Sequence, residues 1–438
     1  MSQASPSALR RPQARGGYAF AYTGLLLFTI LLYLRPNEIL PIGGFPVVRI
    51  VAVVTLASFF IERMMDGRPL PLMPRPFKYL LILGILMVLS IPIGLDPAGS
   101  FAGFTDVFLK IVLIFLLTIN VVNSFRRLRL LIEVTVLSGT FVAVATLLDF
   151  ASGKNLAEGF RAAGAVGGIF GNPNDLALAM NVLIPLGIGL VLIRRNPLLK
   201  VVYLVCTGLF VATAVATYSR AGFLTLMVAV GFLLVQLGRR YPAAWGVAAV
   251  AAGVLFAASP GTFWARVTTI FEGSAGSGVS AAESATTRWE LIKRSIEVMG
   301  FNPFRWLFGV GIDNFHYVSI YEFGNHNGYL QVFNEVGLPA FIVYLLFLCS
   351  VIAITGRVVK QYSRARGYRQ VWLTAIAIEG SLVAYAVGSF FASVAYLWYL
   401  YYPAAFAVCL QRLLANVELK PTQKEAVSSV WYLRRVQH

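Results

Sequence analysis

Apolar runs of about twenty residues recur from one end of the chain to the other, and a run of that length crosses a bilayer as a helix. Twelve can be marked: Tyr18–Leu34, Val47–Ile61, Phe77–Leu95, Val107–Val122, Leu130–Phe150, Asp175–Ile193, Leu198–Thr217, Gly222–Leu237, Pro242–Ser259, Leu338–Thr355, Val371–Ser389 and Val394–Leu414. Backbone in hydrocarbon must satisfy its own hydrogen bonds, which such runs do as helices. The expected fold is therefore all-α, a polytopic membrane bundle of about twelve transmembrane helices. Only 13% of the residues are charged, where a soluble domain carries about 25%. The basic head Arg10, Arg11 and Arg15 runs straight into a full-length span, so no cleavable signal peptide is expected.

The net charge of +17 would suit nucleic acid, but its distribution points to topology instead. Alternate connections carry most of the Lys and Arg: Arg10 to Arg15, Arg63 to Lys78, Arg126 to Arg129, Arg194 to Lys200, Arg239 and Arg240, Arg357 to Arg369, and Arg412 onward. The positive-inside rule assigns that side, with both termini, to the cytoplasm. The opposite side keeps Arg35, Arg49, Lys110, Lys154, Arg161, Arg220, Arg266, Arg288, Lys293, Arg294 and Arg305. Some of these read as solvated loop charges; the several held at or just within the outer ends of spans suggest an anion at that surface. Cys206, Cys349 and Cys409 lie within apolar runs and read as small hydrophobes, with neither disulfide nor metal-site spacing.

The chain reads as one integral membrane domain, 1–438, with a large outer loop, 259–337, between the ninth and tenth spans. That loop opens on a linker rich in Gly, Ser and Ala, Gly273–Thr287. Next, TTRWELIKRSIEVM sets Trp289, Ile292, Ile296 and Met299 on one helical stripe, the pattern of an amphipathic helix on the leaflet or capping the bundle. Its last part, GVGIDNFHYVSIYEFGNHNGYLQVFNEVG, holds two of the three histidines, His316 and His326. Polar groups gathered beside lipid are costly unless paired. This stretch is read as the floor of an active site.

The candidates each have a plainer alternative. Arg220, in YSRAG, sits at a tight turn between two spans. An Arg at mid-bilayer costs about 2.5–3.5 kcal/mol; an edge position lowers that cost, and a bound diphosphate would offset more through paired hydrogen bonds. The alternative is a topological arginine snorkelling to water. For Arg288 the alternative is an ordinary solvated helix charge, and for Arg49 and Lys110 it is snorkelling. Arg161, in an outer loop, carries the same ambiguity. His326 lies in GNHNGY; an imidazole near pKa 6.5 can take a proton at neutral pH, or it can be a hydrogen-bonded interfacial residue. His316, among Tyr and Phe, reads more simply as packing. Asn172 and Asn174 in GNPND suit helix capping or a sugar. No DxD pair, P-loop, HExxH or convincing Ser-His-Asp set is present, so a metal-bound nucleotide-sugar mechanism is unsupported, and no metal or cofactor is expected.

Three segments carry a resemblance: FGNPNDLA at Phe170–Ala177, TYSRAGFL at Thr217–Leu224, and GVGIDNFH with HNGYLQVFNEVGLPA at Gly309–Ala340. They resemble the O-antigen ligase family, which shares a superfamily with polysaccharide polymerases and some protein O-oligosaccharyltransferases. The resemblance runs from Phe170 to Leu346; the first five spans carry no matching motif. It implies transfer of a glycan from an undecaprenyl-diphosphate carrier to a sugar of lipid A–core at the periplasmic face of the bacterial inner membrane. The essential histidine falls on His326 and the diphosphate-contacting arginines on Arg220 and Arg288. Arg49, Arg161, Asn327, Tyr218 and His316 complete the expected substrate-binding set. The same motifs fit a glycan polymerase. A lipid-linked glycan transporter would show polar residues deep in several spans, whereas the charges here cluster at one end.

Overall fold

The structure, a computed structural model, describes residues 17–39, 46–67, 71–259, 261–272, 279–300, 302–319, 324–365 and 367–415. The side chains of Arg266 and Arg288 lie outside that description, as do Arg366, the basic termini and His438.

The first half runs α1 (Ala19–Leu34), α2 (Pro36–Ile39), α3 (Val47–Met65), α4 (Arg75–Ser90), α5 (Pro97–Gly103), α6 (Leu109–Val121) and α7 (Phe125–Ala151). A hairpin of β1 (Leu156–Ala157) and β2 (Arg161–Ala162) follows, antiparallel, with Ala157 opposite Arg161. Then come α8 (Pro173–Ile193), α9 (Pro197–Ala216), α10 (Arg220–Gly238), α11 (Ala243–Ala258) and α12 (Gly261–Glu272). The last third holds α13 (Val279–Gly300), α14 (Pro303–Phe308), α15 (Gly328–Val336), α16 (Leu338–Tyr362), α17 (Arg369–Gly388) and α18 (Trp398–Ala415).

Each of the twelve apolar runs overlaps one of these helices. Among the described residues, eight helical stretches are long and apolar enough to cross a membrane. Ala19–Leu34 and Ala243–Val254 are apolar but shorter. The chain is a polytopic helical membrane protein. Helix starts follow local chemistry. Asn172–Pro173, Asn196–Pro197 and Asn302–Pro303 each put a side-chain acceptor at the N-cap and a proline, which needs no donor, in the first turn.

The centre of the bundle is α8 against α17. Burial takes 83% and 78% of their apolar windows, against 33% for α9. With no water to drive helices together in lipid, close packing depends on small residues. A Cβ on Gly189 would lie 2.5 Å from that of Ala377, and one on Gly388 would lie 2.2 Å from Leu178. Pro185 lies inside α8, and Ser381 of α17 donates to the Val182 carbonyl (2.7 Å) in the turn before it.

Two expectations for the long loop change. Helix α13 begins at Val279, inside the stretch read as linker; residues 273–278 lie outside the described residues. The expected stripe also divides. Leu291, Ser295, Val298 and Met299 are buried, whereas Trp289 and Ile296 are exposed. The buried face is aligned on a serine, because Ser295 hydrogen-bonds within the fold, and a hydropathy stripe cannot count a serine as inward-facing.

Candidate active site

Two sharp corners organise the site. At the first, α9 ends at Ala216 and α10 begins at Arg220. Tyr218 takes a left-handed backbone (φ 49°), and Ser219 caps α10 by accepting from the Gly222 N–H at 3.0 Å. Arg220 thus occupies the first helical position, half-buried, where the unpaired N–H groups of a helix start favour anions. The Tyr218 ring is buried among Phe150, Phe160 and Phe263.

At the second corner His326 is left-handed (φ 46°), and the next residue, Asn327, caps α15 by accepting from Tyr329 and Leu330 N–H at 2.9 and 3.0 Å. The two corners are built alike, a left-handed aromatic residue followed at once by a polar N-cap. Such backbone costs roughly 1–2 kcal/mol outside glycine and persists only where the surroundings hold it.

Arg161 fastens the first corner from below. It is only 8% exposed. Its Nε donates to the Thr217 carbonyl (3.0 Å), Nη1 to Glu158 (2.7 Å) and Nη2 to Asn174 Oδ1 (2.9 Å). Ser219 Oγ donates to the same Asn174 oxygen at 2.7 Å. The β1–β2 hairpin, the start of α8 and the α9–α10 turn are therefore joined through one guanidinium. Asn172 acts as the N-cap of α8, accepting from Asn174 N–H at 2.8 Å.

The His326 loop rests on the turn between α17 and α18. Gly328 N–H donates to the Ser389 carbonyl (2.7 Å), and Ala395 N–H donates to Gln331 Oε1 (3.1 Å). Ser389 directly follows Gly388, whose Cα faces Leu178, in the second turn of α8. Asn174, one turn before Leu178, carries the Arg161 and Ser219 contacts. An unbroken run of contacts thus brings both corners to one end of the α8–α17 pair.

The Gly309–Asp313 turn closes that end against the α4–α5 corner. Leu95 N–H donates to Val310 O (2.8 Å), and Asn314 Nδ2 lies 3.1 Å from Asp96 O and 3.0 Å from Ser100 Oγ. Gly311 (φ 102°) must be glycine here, since an added Cβ would lie 2.9 Å from the Gly94 Cα. Beyond α5, Asp106 accepts from Arg49 (2.9 Å) and Lys110 (3.1 Å) at an exposed position. Two cations against one carboxylate leave that rim positive. The rings of His316 and Tyr317 lie 4.0 Å apart between centroids, tilted by 40°, on a short 3-10 turn. Arg288 lies on α13, two turns before Ser295, with its side chain outside the described residues. Among the described residues no group of three His, Cys, Asp or Glu has metal-site geometry.

Sequence reading missed Glu335. It is buried in the last turn of α15, with the Asp313 backbone N–H, the Gln331 amide and the Tyr396 hydroxyl beside its carboxyl. Burial pushes this carboxyl up to about 8. Its only signal in the sequence was a Glu next to the end of a short segment, GYLQVFNEV, that leads into an apolar span. Between the ordinary value of 4.5 and about 8, the unfolded chain releases this proton while the folded protein keeps it. The unfolded state then binds fewer protons, so stability falls as pH rises through that window. Glu335→Gln, which cannot ionise, is expected to show a smaller drop in apparent Tm between about pH 5 and 9 than the unaltered protein. Equal slopes for the two proteins would contradict this burial.

Comparison with known families agrees with the motifs. Residues 205–345, which contain Arg220, Arg288 and His326, match the family model described as O-antigen ligase. No curated protein matches the chain significantly. The family match supports a membrane glycosyltransferase of the ligase or polymerase type. Over residues 205–345, about a third of its length, the chain is similar to the O-antigen ligase family.

Proposed function

We propose that this protein transfers O-antigen glycan from undecaprenyl diphosphate to a sugar of lipid A–core at the periplasmic face of the bacterial inner membrane. The observation that carries the reading is the pair of matched corners, one presenting Arg220 and one presenting His326, joined across the α8–α17 contact. The distribution of Lys and Arg among the connections supports cytoplasmic termini and an outward-facing site.

Both substrates are lipids, so they reach the site from the outer leaflet. Arg220 and Arg288 bind the donor diphosphate by charge-assisted hydrogen bonds and hold the charge that develops as it departs. Arg49 contributes to the positive rim, Arg161 fixes the Arg220 corner, and Tyr218, Asn327 and His316 line the approach. His326 takes the proton of the acceptor hydroxyl as the oxygen attacks the anomeric carbon; the carbon–oxygen bond to the diphosphate breaks with its electron pair on the phosphate oxygen. Diphosphate is a good leaving group and needs no acid. Attack from the opposite face inverts the anomeric centre. No metal takes part, since arginines supply the charge.

The test is purified protein given carrier-linked glycan and lipid A–core, separately and together, with chelator present. Glycan on lipid A–core is the expected result. Longer carrier-linked chains without lipid A–core would assign a polymerase instead.

A further inference from the structure

The residues on either side of His326 are held by opposite ends of one helix. Asn327 caps the start of α15. Asn325 is held from its last turn, where Asn334 Nδ2 lies 2.6 Å from Asn325 Oδ1. The same Nδ2 lies 2.8 Å from Ser295 Oγ on α13, and Ser295 Oγ lies 3.5 Å from Asn325 Oδ1. All three side chains are buried, Asn334 and Ser295 completely. The Asn334 backbone carbonyl accepts from Val310 N–H (2.8 Å), adding the Gly309–Asp313 turn to the assembly. Around this cluster Leu291 and Val298 pack against Val310 and Phe315, and at the surface Arg294 Nε donates to the Val318 carbonyl (2.8 Å).

Apolar contacts carry no directionality, whereas a buried carboxamide between two polar partners specifies one register. A slip of α13 along α15 would leave Ser295 buried without its partners and Asn334 with Asn325 alone, a cost that sets one alignment apart from its neighbours. The imidazole of His326 lies one residue from Asn325. Arg288 lies two turns along α13 from Ser295. Asn334 therefore ties the loop of the base directly to the helix of the arginine.

We propose that Asn334 is a positioning residue that sets His326 against α13 and so against Arg288. The inference deepens the reading of His326 as general base, and rests on it for the effect on rate but not for the effect on the imidazole. Asn334→Ala removes the hub. Ser295→Ala, a small change at a buried site, removes only the α13 link and guards against failure of the first variant to fold.

The chain has three histidines, so the full-length protein labelled with ¹⁵N only at histidine gives three sets of imidazole signals. His316→Gln and His326→Gln variants assign them. Both Asn334→Ala and Ser295→Ala are expected to shift or broaden the His326 signals and leave those of His316 in place. In the transfer assay, kcat should fall about tenfold for Ser295→Ala and further for Asn334→Ala. The Asn334 change should have no further effect on a His326→Ala background, because it acts through the imidazole. Unmoved His326 signals in both variants would overturn the proposal whatever the activity. Shifted signals with unchanged kcat would overturn the catalytic part of it. A His326→Ala protein that still transfers glycan would instead refute the base assignment, and the imidazole spectra would still decide the positioning.

Discussion

His326→Ala is expected to abolish glycan transfer, with a fall of at least about 100-fold, the lower end of what a general base contributes. An acceptor hydroxyl is a poor nucleophile until its proton leaves, and among the described residues no other imidazole is placed beside a capped corner as this one is. Position 326 is left-handed, and alanine tolerates that backbone less well than histidine or asparagine. His326→Asn is therefore the cleaner variant: it suits the backbone and keeps polar contacts, yet it cannot accept a proton at neutral pH. Both variants should insert and fold, with melting close to that of the parent, and neither should transfer. Initial rates of transfer in lipid nanodiscs check this. Rates within a few-fold of the parent would remove His326 from the chemistry.

Arg220→Ala is expected to weaken donor binding by about 10–100-fold, the worth of one or two hydrogen bonds between charged partners. The corner itself should survive. Ser219 still caps α10, Arg161 still holds the turn through Thr217, and alanine is the best helix former at the vacated position. Arg220→Lys should recover only part of the loss, since an ammonium is a point charge and cannot make the paired contacts of a guanidinium. Donor titrations with carrier-linked glycan measure this directly. An alanine variant with unchanged donor affinity would place the diphosphate elsewhere.

The spans were legible because a bilayer imposes one length and one composition, and each apolar run marked in the sequence overlaps a helix. Their edges moved both ways: α10 begins at Arg220 where the run began at Gly222 and α16 reaches Tyr362 where the run stopped at Thr355, but α18 starts only at Trp398 where the run began at Val394. The corners at Arg220 and His326 were legible as motifs, but their left-handed backbone was not, since it is fixed by neighbours distant in sequence. Arg161 shows the limit of reading charge alone. Its position off the expected topology drew notice, while its hydrogen bonds to Thr217, Glu158 and Asn174 could only be seen in the fold. The Ser295–Asn325–Asn334 cluster was invisible for the same reason, and it is also what misaligned the expected face of α13.

The most direct measurement determines donor affinity and transfer rate on the same nanodisc samples of the parent, His326→Asn and Arg220→Ala. The account predicts a separation: His326→Asn holds carrier-linked glycan as tightly as the parent but transfers none, and Arg220→Ala loses affinity. Loss of donor affinity in the histidine variant, with full affinity in the arginine variant, would reverse the two roles and contradict it.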